Sequence, residues 1–256
     1  MTRYAYALIL IALIAGCGKT ANIPPTGQRL ANVPVEGFKA LKVEDLEPGK
    51  GEPAKKGDTI IVFYRGTFVD GIQFDANMDA AMKPDLEKDP FSLTVGAGMI
   101  KGWNDGLVGV KEGMVRKLSV PWVQAYGENG DGGKIPAKSD MIFTVKVMKV
   151  YRANPPAAIE VENTKMGTGA VVTEKSTIKF KYQGKLLNGR VFDDQSKKVL
   201  ECPVSRLIPG FKESIIGMKA GGQRKISLPP GSPNPTGQIP SGQPIEYILD
   251  LISVKL

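Results

Sequence analysis

Histidine is missing from this chain of 256 residues. Its absence excludes a histidine-based catalytic triad, imidazole general-base catalysis and imidazole metal ligation. Cysteine is nearly absent: Cys17 and Cys202 stand far apart in unlike surroundings. Two such residues make neither a disulfide framework nor a metal-ligating cluster. Aromatic residues are only 7% of the chain, so any grouping of them is worth following. The net charge of +8 is scattered rather than gathered into basic runs, which argues against a nucleic-acid partner. The apolar run Ala5 to Ala15 falls short of the ~20 residues a spanning helix requires. With 42% apolar and 23% charged residues, the composition suits a soluble globular protein of two domains.

What is present is a repeat. Ile60 to Asp75 reads IIVFYRGTFVDGIQFD, and Ile178 to Asp193 reads IKFKYQGKLLNGRVFD. Tyr64, Gly66, Gly71, Phe74 and Asp75 recur at one offset of 118 as Tyr182, Gly184, Gly189, Phe192 and Asp193. A fixed offset over several residue types marks a tandem duplication of a whole domain. Within each copy the alternation predicts a strand, with Ile60, Val62 and Tyr64 on one face. Ile178, Phe180 and Tyr182 alternate likewise, opposite the solvated Lys179, Lys181 and Gln183. Asp70-Gly71 and Asn188-Gly189 are hairpin turn pairs with positive φ, so the chain returns and brings Phe74 and Asp75 near the tyrosine. A carboxylate on that apolar face needs a partner, and the phenol can supply one. Tyrosine and phenylalanine in a core beside a turn-capping aspartate is the plainer reading of this hairpin alone.

After Asp75 the offset falls to 108, so the first copy carries about ten extra residues within Ala76 to Pro90. This segment reads as an exposed, charged loop. Ile100, Trp103, Leu107 and Val110 then follow helical spacing, as do Ile208, Phe211, Ile215 and Met218. Gly113 and Gly221 stand where a left-handed cap would end such a helix. Closing strands are expected at Met141 to Val147 and Ile245 to Leu251. The class is α+β, each copy several antiparallel strands on one helix.

The first residues are an address. Arg3 and the apolar run make a secretory signal over residues 1–16, and Ile14-Ala15-Gly16-Cys17 resembles a bacterial lipobox whose cysteine takes a lipid. Gly18 rather than aspartate follows it, which by resemblance favours the outer membrane, facing the periplasm, in a two-membrane bacterium. Residues 17–36 are a tether rich in proline and glycine, 37–151 the first domain, 152–157 a linker with Pro155-Pro156, and 158–256 the second domain. Cys202, in a predicted strand, reads as a small core residue.

VFYRGTFVDGIQFD, then MIKGWNDGLVGVKEG, then AYG and IP before the last strand, together resemble the FKBP-type peptidyl-prolyl cis/trans isomerases over nearly all of both copies. The resemblance implies two tandem FKBP-like domains, each a bent antiparallel sheet wrapped on one short helix with an aromatic pocket between. It places the first pocket at Tyr64, Phe74, Asp75, Phe91, Met99, Ile100, Trp103, Tyr126, Ile135 and Phe143. Trp103 would be the floor under the substrate proline, Ile100 a backbone donor, Tyr126 a hydroxyl donor, Asp75 the acceptor for Tyr64, and Ile135 part of a flap. Lys134, where relatives commonly carry an apolar residue, and the Ala76 to Pro90 insertion depart from the pattern.

The second pocket would use Tyr182, Phe192, Asp193, Ile208, Phe211, Ile239 and Tyr247. Phe211 replaces the tryptophan floor, nothing in PGSPNPTGQIP replaces Tyr126, and Phe91 has no clear aromatic counterpart near Cys202. Activity is therefore expected mainly in the first domain.

Rotation about a prolyl amide breaks no bond, so the resemblance implies no cofactor and no metal. The expected partners are proline-containing segments of unfolded envelope proteins, with the membrane reached through the lipid anchor. The alternative is a non-enzymatic peptide-binding module or chaperone using the same groove.

Overall fold

A computed structural model of the chain describes residues 37–154, 158–232 and 242–255. The signal, Cys17, the tether and Pro155 to Ala157 of the linker lie outside the described residues, as does Ile239. Among those described, no helix is long and apolar enough to cross a membrane.

Two antiparallel sheets carry the chain. The first is built from β1 (Lys42–Glu47), β2 (Thr59–Phe68), β3 (Gln73–Ala76) and β4 (Phe91–Thr94), then, after α1 (Lys101–Gly106), β5 (Val115–Val120) and β6 (Met141–Tyr151). Its order is β1-β5-β6-β2-β3, with β4 also on β2. The second repeats the plan with β7 (Glu160–Lys165), β8 (Thr177–Lys185), β9 (Val191–Asp194), β10 (Leu200–Pro203), α2 (Phe211–Ile215), β11 (Gln223–Leu228) and β12 (Ile245–Lys255). There β10 and β9 both pair with β8, and the order runs β10-β8-β12-β11-β7.

Period-two patterning sets the register. Met141, Phe143, Val145 and Val147 all face the first core, as do Ile60 and Val62 from β2. Ile245, Tyr247, Leu249 and Leu251 do the same in the second core, with Ile178 and Phe180 from β8. Trp103, Leu107 and Val110 close the first core from the other side, and Phe211, Ile215 and Met218 the second. Ile61 and Phe63 point to the opposite face of β2 and are fully buried there too.

Four details differ from expectation. Both helices are shorter than their apolar spacing predicts, at six and five residues. Leu107 already leaves helical geometry, and Gly109 turns to a φ of +80°. Val110 is therefore buried from a turn, because a turn with the right rise serves the same face. Gly113 and Gly221 do have positive φ, yet they stand at the entries to β5 and β11 rather than at the helix ends.

The hairpins are three-residue loops. Phe68 N–H donates to the Ile72 carbonyl and Gly71 N–H to that of Phe68, and among turn residues 69–71 only Gly71 has positive φ. Leu186, Gly189 and Arg190 repeat the pattern.

The fourth difference is the insertion. Ala76, Asn77 and Met78 are buried, because Asn77 bonds into β2. The far end of the insertion bonds to the second domain: Asn188 Nδ2 donates to the Lys88 carbonyl (2.9 Å), Arg190 pairs with Asp89, and Gln243 Nε2 donates to the Pro90 carbonyl (2.7 Å). Lys149 on β6 also pairs with Glu160 on β7 at 3.3 Å.

Candidate active site

The first cavity, about 340 Å³, opens between α1 and the concave face of the sheet. All ten residues expected of the first pocket line it, with Asp131 and Lys134 in addition. Its floor is Trp103, 2% exposed, in the short helix. Tyr64 and Phe143 stand edge-on to that indole at 5.4 and 5.2 Å between centroids, and Phe91 at 6.1 Å. Edge-to-face contact sets the electropositive rim of one ring against the π face of the next and holds the walls upright.

Each wall has a local cause. The helix carrying Trp103 is anchored by Arg116, whose guanidinium is buried. Its Nη1 donates to the Gly106 and Val108 carbonyls (2.9 and 3.0 Å), and its Nε and Nη2 fork onto Asp45. Phe74 lies across β2 because residue 66 has no side chain: a Cβ there would sit 2.6 Å from Phe74 Cζ. The repeat of this glycine at 184 has the same reason, with Phe192 Cζ at 2.6 Å.

The polar side chains of the cavity are those of Tyr64, Asp75, Tyr126, Asp131 and Lys134. Tyr64 Oη donates to Asp75 Oδ2 at 2.5 Å, the pairing that the resemblance implies. Burial first, and Asp75 second, push the Tyr64 phenol well above its ordinary range. Tyr126 is 42% exposed, and its hydroxyl donates to no acceptor among the described residues. Its pKa is raised too, by burial and then by Asp131 and Asp75, so it stays a donor at any physiological pH. Its loop is fixed by Asp140, whose Oδ1 accepts from Trp122 N–H at 2.7 Å. Ile100 precedes α1 and gives its carbonyl to Trp103 and Asn104, while its own N–H has no acceptor among the described residues.

Asp131 is the site residue that sequence reasoning missed. Its Oδ1 accepts from Gly133 N–H (2.8 Å) and Ile135 N–H (2.7 Å), closing the flap loop into a ring that sets Ile135 over the pocket. An aspartate directly before a glycine pair, as in Asp131-Gly132-Gly133, signals such a turn. Lys134 is exposed at the cavity rim, so this departure adds a charge at the mouth. Among the described residues no cluster of metal-ligating side chains occurs.

The second cavity, about 330 Å³, is lined by Tyr182, Asp193, Ile208, Phe211 and Tyr247 among the expected residues. Tyr182 Oη again donates to the aspartate, here Asp193 Oδ2, at 2.5 Å. Phe192 does not line the cavity. It stands edge-on to Tyr247 at 5.9 Å, and Tyr247 lines the cavity in the place of Phe143. Cys202, read as a core residue, is half-buried and lines the cavity, as do Glu201 and Arg206.

Strand pairing also locates the missing aromatic. Val62 pairs with Phe91 in the first domain, and Phe180 pairs with Leu200 in the second. The ring has crossed from one strand to its neighbour, so the second cavity keeps an aromatic wall from the other side.

Comparison with known proteins points to one family. A family model described as FKBP-type peptidyl-prolyl cis-trans isomerase matches residues 50–148 and 169–252. An FK506-binding protein of Neisseria meningitidis serogroup B is 42% identical over 112 residues, covering 43% of this chain and 96% of the relative. Peptidyl-prolyl cis-trans isomerase FKBP9 of Homo sapiens is 31% identical over 180 residues, covering 68% of this chain and 30% of that protein. Among solved structures, the crystal structure of FkpA from Escherichia coli matches with 35% identity and a TM-score of 0.38, covering 46% of this chain and 53% of that one. With a buried indole under edge-on rings, a tyrosine–aspartate pair in each copy and the family model matched twice, the chain belongs to the FKBP-type peptidyl-prolyl cis/trans isomerase family.

Proposed function

We propose that the first pocket carries most of the isomerase activity of this chain, acting on proline-containing segments of unfolded proteins in a bacterial envelope, with Cys17 lipidated and holding the chain at a membrane. The observation that carries the assignment to the first pocket is the pairing of the Trp103 floor with the Tyr126 hydroxyl, unpartnered among the described residues, across one cavity. The lipobox-like Ile14 to Cys17 and the signal before it support the location.

The chemistry follows from the amide. Rotation about it must cross ~18–20 kcal/mol, because conjugation between nitrogen and carbonyl is lost at the twist. The twisted amide has less charge separation than the planar one, so a wall of Trp103, Phe91, Tyr64 and Phe143 favours it over the ground state. The proline ring rests on Trp103. Ile100 N–H and the Tyr126 hydroxyl hold flanking carbonyls while the bond turns, and neither needs to reorganise. Lowering the barrier by roughly 4–6 kcal/mol turns tens of seconds into milliseconds.

The second cavity has the floor and walls but, within the described residues, no hydroxyl in the place of Tyr126. Its rings suit weak binding of apolar peptide, a chaperone-like companion to the first. A protease-coupled proline isomerisation assay on the full chain tests the assignment. Tyr126→Phe is expected to lower kcat/KM by about tenfold, and Trp103→Ala further. Near-parental turnover in either variant would place catalysis elsewhere.

A further inference from the structure

The insertion ends where the first pocket begins. Its last three residues, Lys88, Asp89 and Pro90, are each bonded to the second domain, and the next residue, Phe91, opens β4 and walls the cavity. Two of the three bonds end on main-chain carbonyls of the insertion, so their specificity resides in the second-domain side chains Asn188 and Gln243. Both side chains are buried at the contact, 9% and 8% exposed.

The other end of the insertion reaches the same wall. Asn77, 5% exposed, accepts from Tyr64 N–H through Oδ1 at 2.6 Å and donates through Nδ2 to the Asp89 carbonyl at 3.1 Å. Asp89 is therefore held on one side by Arg190 and on the other by the side chain that holds the Tyr64 backbone. From Arg190 to the pocket tyrosine the route crosses two residues. From Gln243 to Phe91 it crosses one peptide bond. Phe91 and Tyr64 touch edge-on at 5.8 Å, so both routes meet in one pair of rings.

The second domain has no counterpart of this arrangement. It lacks the insertion, and its position equivalent to Asn77 is Gln195: the backbone N–H bonds to the tyrosine carbonyl in both copies, but the Gln195 side chain turns to Asp193 Oδ1 at 3.1 Å instead of to the tyrosine N–H.

We propose that the second domain braces the first pocket, with Arg190 and Gln243 as positioning residues that set Phe91 and Tyr64 through Lys88 to Pro90. The proposal rests on the assignment of isomerase activity to the first pocket. It gives the second domain a part in catalysis without any turnover of its own.

The test uses the full chain with Arg190→Ala and Gln243→Ala combined, and kcat and KM are measured separately on a prolyl tetrapeptide. A displaced wall weakens substrate contacts that are made before and during the twist, so KM is expected to rise about fivefold with kcat within about twofold. Gln243→Glu keeps the volume and removes the donor, so it serves if the double variant does not fold, and it is expected to raise KM in the same direction. The exchange pair Asp89→Arg with Arg190→Asp is expected to recover most of what either change alone loses. Parental KM in both the double variant and Gln243→Glu overturns the brace, as does an exchange pair no better than its singles. A parent chain that turns over no prolyl peptide overturns the isomerase assignment instead. The same variants are then read by calorimetric affinity for a proline-containing peptide, where unchanged affinity overturns the brace.

Discussion

Gly66 and Gly184 permit one perturbation to be made twice. An alanine at Gly66 would place its Cβ 2.6 and 2.7 Å from two atoms of Phe74 and 3.1 Å from Phe143 Cε1. One at Gly184 would meet Phe192 at 2.6 and 2.9 Å and Tyr247 Cε1 at 2.9 Å. Nonbonded carbons rest ~3.5–4.0 Å apart, so in each case a ring must retreat by about 1 Å. Overpacking of this order costs ~1–3 kcal/mol, and the gain from replacing glycine in a strand returns ~0.5–1 kcal/mol. Both variants are thus expected to lose about 0.5–2 kcal/mol in urea unfolding. Their effects on turnover should part. Phe74 and Phe143 line the first cavity, so Gly66→Ala moves the wall and is expected to lower kcat/KM about tenfold. Gly184→Ala disturbs Phe192 and Tyr247 and is expected to leave kcat/KM within about twofold. The assay is protease-coupled isomerisation by the full chain, with unfolding measured on the same preparations. Equal losses of turnover would refute the assignment to the first pocket. A Gly66→Ala protein with parental stability and turnover would refute the packing of Phe74 on the glycine.

Three further outcomes are expected. Arg116→Met removes the fork onto Asp45 and both bonds to the end of α1, and should cost on the order of 2–4 kcal/mol in urea unfolding together with peptide affinity; an unchanged midpoint would show that the helix is held otherwise. Burial raises the phenol pKa of Tyr64, Tyr151 and Tyr182, and pushes that of Tyr247 up to about 12. The unfolded chain loses these protons near pH ~10 while the folded chain keeps them, so stability should be level below that pH and fall as pH rises through it. An alkaline titration of the unfolding midpoint checks this, and a stability that climbs above pH ~10 contradicts it. Cys17→Ser should abolish incorporation of labelled fatty acid in a bacterial host, and a parent chain that incorporates none would remove the lipid anchor from the proposal.

The site was legible in the sequence to the extent that its side chains sit on elements with strong periodicity. Ile60, Val62 and Tyr64 alternate, the turn glycine follows, and Phe74 and Asp75 must then return to the same face. The helix length was not legible, because Leu107 and Val110 occupy helical spacing while the backbone has already turned at Gly109. The aromatic of the second pocket was sought at the position of Phe91, whereas pairing of Phe180 with Leu200 puts it on the opposite strand. A linear comparison sees a loss at one place and an unrelated gain at another. The insertion misled for a related reason. Its charges read as solvated, yet its contacts with the second domain are made largely by carbonyls, and carbonyls leave no trace in residue identity.

The contact between the two domains also bears on how the chain behaves when concentrated. One surface is the end of an insertion that only the first domain has; the other includes a hairpin turn that both have in outline. A head-to-tail contact between similar units can propagate without limit when each unit offers both surfaces. Here the equivalents of Asn188 and Arg190 in the first domain are Asp70 and Ile72. Neither can replace them: an aspartate at the turn would donate nothing to the Lys88 carbonyl and would repel Asp89, and an isoleucine would leave Asp89 without a cation. The second domain in turn offers no insertion to receive a further turn. Socket and plug each occur once and are spent on each other within a single chain, so the interaction that orders the two domains has no free end from which a filament could grow.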